Sequence, residues 1–207
     1  MKPIIDVSAH NGQIDWSAAA HQIDSAIIRI GYRGYGKQGR IVKDARAEEN
    51  IVGCMGNDIP FSFYYFPTDI NVSEALESAK WIIDFCENHL VKPACIWLDS
   101  EYSNNQHNGR SDRLSKKERT SLLKVLCYEL INNGYYAGIY CSDSWFEDHL
   151  EGYKMVDFDS IKFWIARYSK NKPKHPYVAW QYTSAGQIKG IRHYVDLSVR
   201  NGEEIDT

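Results

Sequence analysis

The segment Ile96-Trp97-Leu98-Asp99-Ser100-Glu101 sets two carboxyl groups two residues apart at the end of an apolar run. In an extended strand, residues i and i+2 project to the same side with Cα atoms ~6.6 Å apart. Asp99 and Glu101 are therefore expected to converge on one face. When two acids lie this close, one stays ionised while its field raises the pKa of the other. That difference suits glycosidic cleavage, in which a protonated carboxyl serves the leaving oxygen and a carboxylate faces the developing positive charge. A D-x-E pair alone is far more often a solvated strand end than a catalytic pair, so its context decides its meaning. Asp6 closes an apolar segment after Ile4 and Ile5, and Asp196 lies in Tyr194-Val195-Asp196-Leu197. If the first and last strands of a closed barrel are neighbours, all four carboxylates can reach one cavity. A cluster of inward-facing acids is costly to bury without a purpose.

The elements that must position these acids follow from periodicity. Runs rich in β-branched and aromatic residues occur at 4–7, 26–31, 61–66, 94–99 and 136–141, the composition of strands. Between them, Val72, Ala75, Leu76, Ala79, Ile82, Ile83 and Cys86 recur at the three- and four-residue spacing of one buried helix face. Ser115 with Glu118 is a capping-box signature, and Leu122, Leu123, Leu126 and Leu130 continue a helix that Gly134 ends. Shorter helices are expected after Asp15, after Lys43 and over 144–149. Such alternation implies a parallel sheet. Segments 162–167, 177–182 and 194–197 also read as strands, but their connections are too short for helical crossovers, so antiparallel pairings are expected among them. The predicted fold is α/β, a modified TIM-like barrel of the (β/α)5(β)3 type, with eight strands and five helices in one domain over residues 1–207. Barrel sites lie at the C-terminal ends of the strands. Residues 103–113 are thus a candidate active-site loop, the alternative being a solvated connection.

Composition narrows the function. The chain has 43% hydrophobic and 25% charged residues, the balance of a soluble globular domain. A net charge of −3 without a long basic run argues against a nucleic-acid partner. No stretch approaches the ~20 apolar residues that span a bilayer, and the N-terminus lacks the apolar region of a signal peptide. The five cysteines include no C-x-x-C pair and read as free thiols, and the seven histidines show no metal-binding spacing, so neither a metal nor a cofactor is expected. Gly34-x-Gly36-x-x-Gly39 matches a dinucleotide fingerprint on its face. Gly31-Tyr32-Arg33 separates it from the preceding strand, however, and a flexible loop is the better reading. Lys37, Arg40, Lys170, Lys172 and Lys174 are most simply solvated charges.

An ordered set of segments carries a resemblance over essentially the whole chain: IDVSAHNGQIDW, AIIRIGY, IPFSFYYF, IWLDSE, GYYAGIYCSDSWF, FWIARY, VAWQYTSAGQIKGI and YVD. It resembles glycoside hydrolase family 25, the lysozymes of phages, bacteria and some fungi. The resemblance implies an eight-stranded, five-helix barrel and hydrolysis of the β-1,4 bond between N-acetylmuramic acid and N-acetylglucosamine in peptidoglycan glycan strands. By the same resemblance Glu101 is the general acid, Asp99 its partner carboxylate, and Asp6 and Asp196 two further active-site acids. Tyr64, Trp180 and Tyr182 match positions that line the saccharide groove. Residues 102–113 show no family pattern, and Ser198 stands where Asn is common. The enzyme is expected to be monomeric and cytoplasmic as synthesised, acting on the cell wall after release, as a phage endolysin does. Two alternatives are a chitin-type hydrolase, which usually carries another Asp at the place of Trp97, and a wall-saccharide-binding barrel without catalysis, which would not need all four acids.

Overall fold

The computed structural model describes residues 2–157, 159 and 161–202. Successive residues of a strand point to opposite sides, and in this chain both sides are covered. In β1 (Ile4–Val7), Ile5 and Val7 join the large apolar layer beneath the helices, while Ile4 turns into the barrel. The same parity places Ile28 and Ile30 of β2 (Ser25–Arg33) outward and Ile27 inward. In β4 (Phe61–Phe66) Phe63 and Tyr65 face outward, and in β5 (Ile96–Asp99) Leu98 faces outward and Trp97 inward. Burial on both faces explains why these strands read as near-continuous apolar runs.

The sheet continues through β6 (Ala137–Ser142), β7 (Lys162–Ala166), β8 (Ala179–Gly186) and β9 (Val195–Arg200). Its order is β1-β9-β8-β7-β6-β5-β4-β2, and pairing of β1 with β2 closes it into an eight-stranded barrel. A ninth strand, β3 (Ile41–Lys43), pairs antiparallel with β2 outside the closure. Three residues carry too little pattern for a sequence reading to find it. The glycines at 34, 36 and 39 form the turn of this β2–β3 hairpin, with Gly39 at φ 52°, so no helix follows them as a dinucleotide site would require.

The connecting helices are α1 (Trp16–Ala20), α2 (Ala47–Met55), α3 (Val72–Asn88), α4 (Lys116–Asn132), α5 (Trp145–Asp148) and α6 (Gly152–Asp157). The capping box at Ser115 and Glu118 is present, and Gly134 lies just beyond α4 with φ 82°, a backbone conformation that favours glycine. One short helix, α6, is additional to the five expected. The antiparallel pairings fall on β9, which runs against both β1 and β8. β7 and β8 are parallel although no helix joins them. The irregular segment 167–178 makes this crossover and has about the dozen residues a parallel connection needs.

Inside the barrel, Trp97 and Trp164 meet edge to face at 6.0 Å, and Tyr140 packs on Trp164 at 4.4 Å. The Trp164 indole N–H donates to Ser198 Oγ at 3.0 Å. This aromatic plug fills the lower interior. Polar side chains on the same parity, one step further along each strand, are left above it at the open C-terminal end.

Candidate active site

Four acids meet above the plug. Asp6 on β1 and Asp196 on β9 are register partners across an antiparallel pair. Asp99 is the last residue of β5, and Ser100 carries the ladder one step further by donating its N–H to the Tyr140 carbonyl at 2.9 Å. Glu101 follows in a bend. Asp99 and Glu101 line a cleft of about 480 Å3 with Arg29, Tyr64, Tyr32, Tyr35, Phe66 and Tyr102 among its other walls. Asp6 and Asp196 flank its inner end and interact electrostatically with Asp99.

A chain of hydrogen bonds holds Asp6. Tyr140 and Tyr168 both donate their hydroxyls to Gln181 Oε1, at 2.8 and 2.9 Å, and Gln181 Nε2 donates to Asp6 Oδ2 at 2.9 Å. Two donors on one amide oxygen fix the orientation of the Gln181 side chain. Burial raises the Asp6 carboxyl well above the usual carboxylate range, with repulsion from Asp196 adding to it and the Gln181 bond opposing it. Burial also raises Asp196, but its hydrogen bond with Asp6 pulls the other way. Burial and mutual repulsion thus oppose ionisation of both carboxyls at once.

Asp99 is buried, and its Oδ1 has no hydrogen-bond partner among the described residues. Desolvation raises it well above the ordinary value, helped by Glu101, Asp6 and Asp196 and opposed by Arg29. Glu101 presents a face to solvent at the mouth, yet protein surrounds it on its other sides. Desolvation and then the charge of Asp196 push it up to about 7. The sequence leads one to expect that field from Asp99, Asp6 and Asp196 together; the neighbour that raises Glu101 here is Asp196, on β9 across the barrel from β5. What holds for the coupled Asp99–Glu101 pair is that both are raised and that it retains a proton near neutrality.

One wall of the cleft is the β2–β3 hairpin. Buried Arg33 ties it down by donating to Asp69 Oδ1 at 2.5 Å, to the Gly39 carbonyl at 2.6 Å and to Glu77 at 2.8 Å. Residues 103–113 pack against the hairpin. Arg110 forms a two-pronged pair with Glu74 at 2.7 Å for each bond, and its N–H donates to the Tyr35 carbonyl at 3.2 Å. Tyr102 stacks on His107 at 3.6 Å and meets Trp145 edge-on at 4.6 Å. This segment builds the rim through Tyr102 and Ser103.

The sequence pattern of glycosyl hydrolases family 25 matches residues 5–191. The chain belongs to that family. The glycosyl hydrolase is 25% identical over 204 residues to the uncharacterized protein YegX of Escherichia coli K12, covering 96% of this chain and 69% of the relative. Its fold superposes on the modular autolysin LytC of Streptococcus pneumoniae, solved with a synthetic peptidoglycan ligand, with TM-score 0.81 and 24% identity over 95% of this chain and 46% of LytC. The chain therefore spans less than half of that autolysin. A lysozyme from Streptomyces coelicolor superposes with TM-score 0.75 and 21% identity, covering 97% of this chain and 92% of its own.

In this family 25 hydrolase the structure brings Asp6, Asp99, Glu101, Asp196 and Tyr64 together but leaves Trp180 elsewhere. Trp180 is 1% exposed, and its indole N–H donates to the Arg167 carbonyl at 2.8 Å. Tyr182 is half-buried with its ring edge-on to Trp180 at 6.0 Å, and neither lines the cleft. The expected groove role of Trp180 is therefore corrected to one of packing. The cause is strand parity: Gln181 faces the acids, so its neighbours on β8 face away. Gln181, Tyr140, Tyr168 and Arg29 escaped the sequence reading. A lone arginine within the apolar AIIRIGY and a glutamine between two aromatics were the signals available.

Proposed function

We propose that this family 25 glycosyl hydrolase is a lysozyme, a 1,4-β-N-acetylmuramidase that cleaves the bond between N-acetylmuramic acid and N-acetylglucosamine in peptidoglycan. The observation that carries the reading is Glu101 at the mouth of an aromatic-walled cleft, its carboxyl pushed up to about 7. A general acid works best when its pKa lies near the working pH. Glu101 donates its proton to the glycosidic oxygen as the bond from that oxygen to the sugar's anomeric carbon breaks. Asp99 stabilises the positive charge that develops on the sugar. Water completes the hydrolysis, and one of its protons restores Glu101. Tyr64, half-buried beside both acids, and the rings of Tyr32, Tyr35 and Tyr102 offer flat faces to the sugars. The Streptomyces coelicolor lysozyme and the peptidoglycan-bound autolysin share this fold and support the assignment. A chitin-type site would need an acid at position 97, where Trp97 belongs to the aromatic plug.

The test is clearing of purified peptidoglycan by the wild type and by Glu101→Gln, with glycan binding followed by calorimetry. Turnover should fall about 100-fold or more, the usual magnitude of general acid catalysis, while binding persists. Near-normal turnover of Glu101→Gln would remove Glu101 from the acid role.

A further inference from the structure

Two segments stand out in the sequence without serving the acids: the glycine-rich tip of the β2–β3 hairpin and the polar run 103–113 after β5. Both border the cleft, on either side of β4. The hairpin supplies Tyr32, Tyr35 and Val42 to one wall, and the run after β5 supplies Tyr102 and Ser103 to the other. A two-stranded hairpin is only marginally stable by itself. Tyr35, at its tip, is 50% exposed, so the place of this wall depends on what holds the tip.

Arg110 reaches across to hold it. Its guanidinium lies directly on Gly39: a Cβ there would come within 1.9 Å of Arg110 Nη1 and 2.4 Å of its Cζ. Glycine at 39, with φ 52°, therefore serves the contact as well as the turn. The backbone N–H of Arg110 donates to the Tyr35 carbonyl at 3.2 Å. On its other side the guanidinium is fixed to α3. Nη1 and Nη2 each donate to one Glu74 oxygen at 2.7 Å, and Glu74 Oε2 also accepts the Ile70 N–H at 3.0 Å. The Arg110 side chain is only 9% exposed, and such a two-pronged pair fixes the plane of the guanidinium as well as its position. The run that carries Arg110 is itself stiffened. One oxygen of Asp112 accepts from the Ser103 N–H and hydroxyl, at 3.0 and 2.9 Å, and the other from the Gly109 N–H at 2.9 Å. A movement of Tyr35 thus cannot occur without disturbing the segment that bears Tyr102. The acids are held independently of this contact, because Ser100 between them bonds to the Tyr140 carbonyl and accepts the Trp145 indole N–H at 3.0 Å.

We infer that Arg110 is a positioning residue: seated on Gly39 and clamped by Glu74, it joins the hairpin to the run 103–113 and fixes the separation of the Tyr35 and Tyr102 walls. The glycan then meets a cleft that is already formed, and binding does not bear the cost of ordering its walls. That the ligand is a glycan strand rests on the muramidase reading, whereas the joining of the two walls does not. Without Arg110 each wall would move on its own while the acids stayed in place, so affinity would suffer and chemistry at saturation would not.

The experiment pairs steady-state kinetics on soluble peptidoglycan glycan fragments with amide hydrogen exchange read by mass spectrometry, in the wild type, Arg110→Ala, Gly39→Ala and the double variant. In Arg110→Ala, KM should rise about tenfold, the cost of ordering one or two side chains on binding, with kcat within about twofold of wild type. Amides of the hairpin tip and of the run 103–113 should exchange faster together. Gly39→Ala leaves Arg110 in the chain but lifts its guanidinium off the turn, so it should raise KM likewise, and it should add much less in the Arg110→Ala background. Should Arg110→Ala fail to fold, Glu74→Gln, which loosens the fork but keeps an acceptor for the Ile70 N–H, is read the same way. A fall in kcat at unchanged KM, or a hairpin as protected as in the wild type, would overturn the proposal. A wild type that neither binds nor cleaves the fragments would sink the muramidase reading alone, since exchange in the hairpin still decides whether Arg110 joins the walls.

Discussion

Glu101 and Asp99 stand two positions apart, yet their surroundings differ in a way that separates their behaviour. Glu101 opens to the mouth, where a substrate oxygen can reach it, while Asp99 is enclosed beside Arg29. Replacing Asp99 with Asn removes one negative neighbour from Glu101, so the basic limb of the rate profile should move to lower pH while turnover falls sharply. The measurement is kcat against pH for Asp99→Asn and wild type; an unmoved basic limb at measurable turnover would show that Glu101 does not feel Asp99. Gln181 offers a second case. Its amide is the link between two tyrosine hydroxyls and Asp6, and Gln181→Leu leaves buried Asp6 and the Tyr140 hydroxyl without their partner. A loss of stability of about 1–3 kcal/mol is expected, read by urea unfolding. The acids were legible in the sequence because carboxylates at the ends of apolar runs are conspicuous. Gln181 was not, because a neutral amide in a strand says nothing until the strand's facing is known.

The strands dictate which side chains reach the site, and the wrong assignment of Trp180 shows how. WQY reads as two aromatics around a polar residue, and only the pairing of β8 with β7 and β9 decides which of the three faces inward. Since Trp180 packs rather than binds, Trp180→Ala should cost about 3–5 kcal/mol of stability and leave the glycan affinity of the folded protein near wild type. Lost affinity without lost stability, compared by calorimetry and urea unfolding, would return Trp180 to the groove. The helices were the most legible elements: the apolar spacing in α3 and the caps of α4 are local signals, and local physics forms them. β3 and α6 are short and carry little local pattern; the hairpin is tied to the rest of the fold by Arg33, at the end of β2, through Asp69 and Glu77, and by Arg110, whose backbone N–H donates to the Tyr35 carbonyl. The parallel β7–β8 crossover was missed for a related reason, because an irregular segment can span what a helix usually does.

Gathering four acids at one end of a barrel has a cost for the molecule as a whole. Glu101 goes from an ordinary 4.5 to about 7 on folding. A carboxyl raised in the fold binds its proton more tightly there than in the unfolded chain. Its stabilising contribution is present below the unfolded pKa and is lost as pH rises through the folded one. Asp6, Asp99 and Asp196 shift in the same direction. The protein should therefore melt at a lower temperature at pH 8 than at pH 5, and Glu101→Gln should narrow that difference and raise the melting temperature at pH 8. Scanning calorimetry of both proteins at the two pH values checks this, and an unchanged difference would mean that the site carries no such strain. It is the usual exchange of stability for activity at a site built from unfavourable charges. The barrel order, the aromatic plug and the acid cluster together support one chemistry, hydrolysis of a glycan by proton donation at the rim of the cleft. Mass spectrometry of borohydride-reduced products from purified peptidoglycan tests it most directly. Muramic acid is expected at every new reducing end; new ends carrying only glucosamine, or intact glycan with active-site acids in place, would rule out a muramidase.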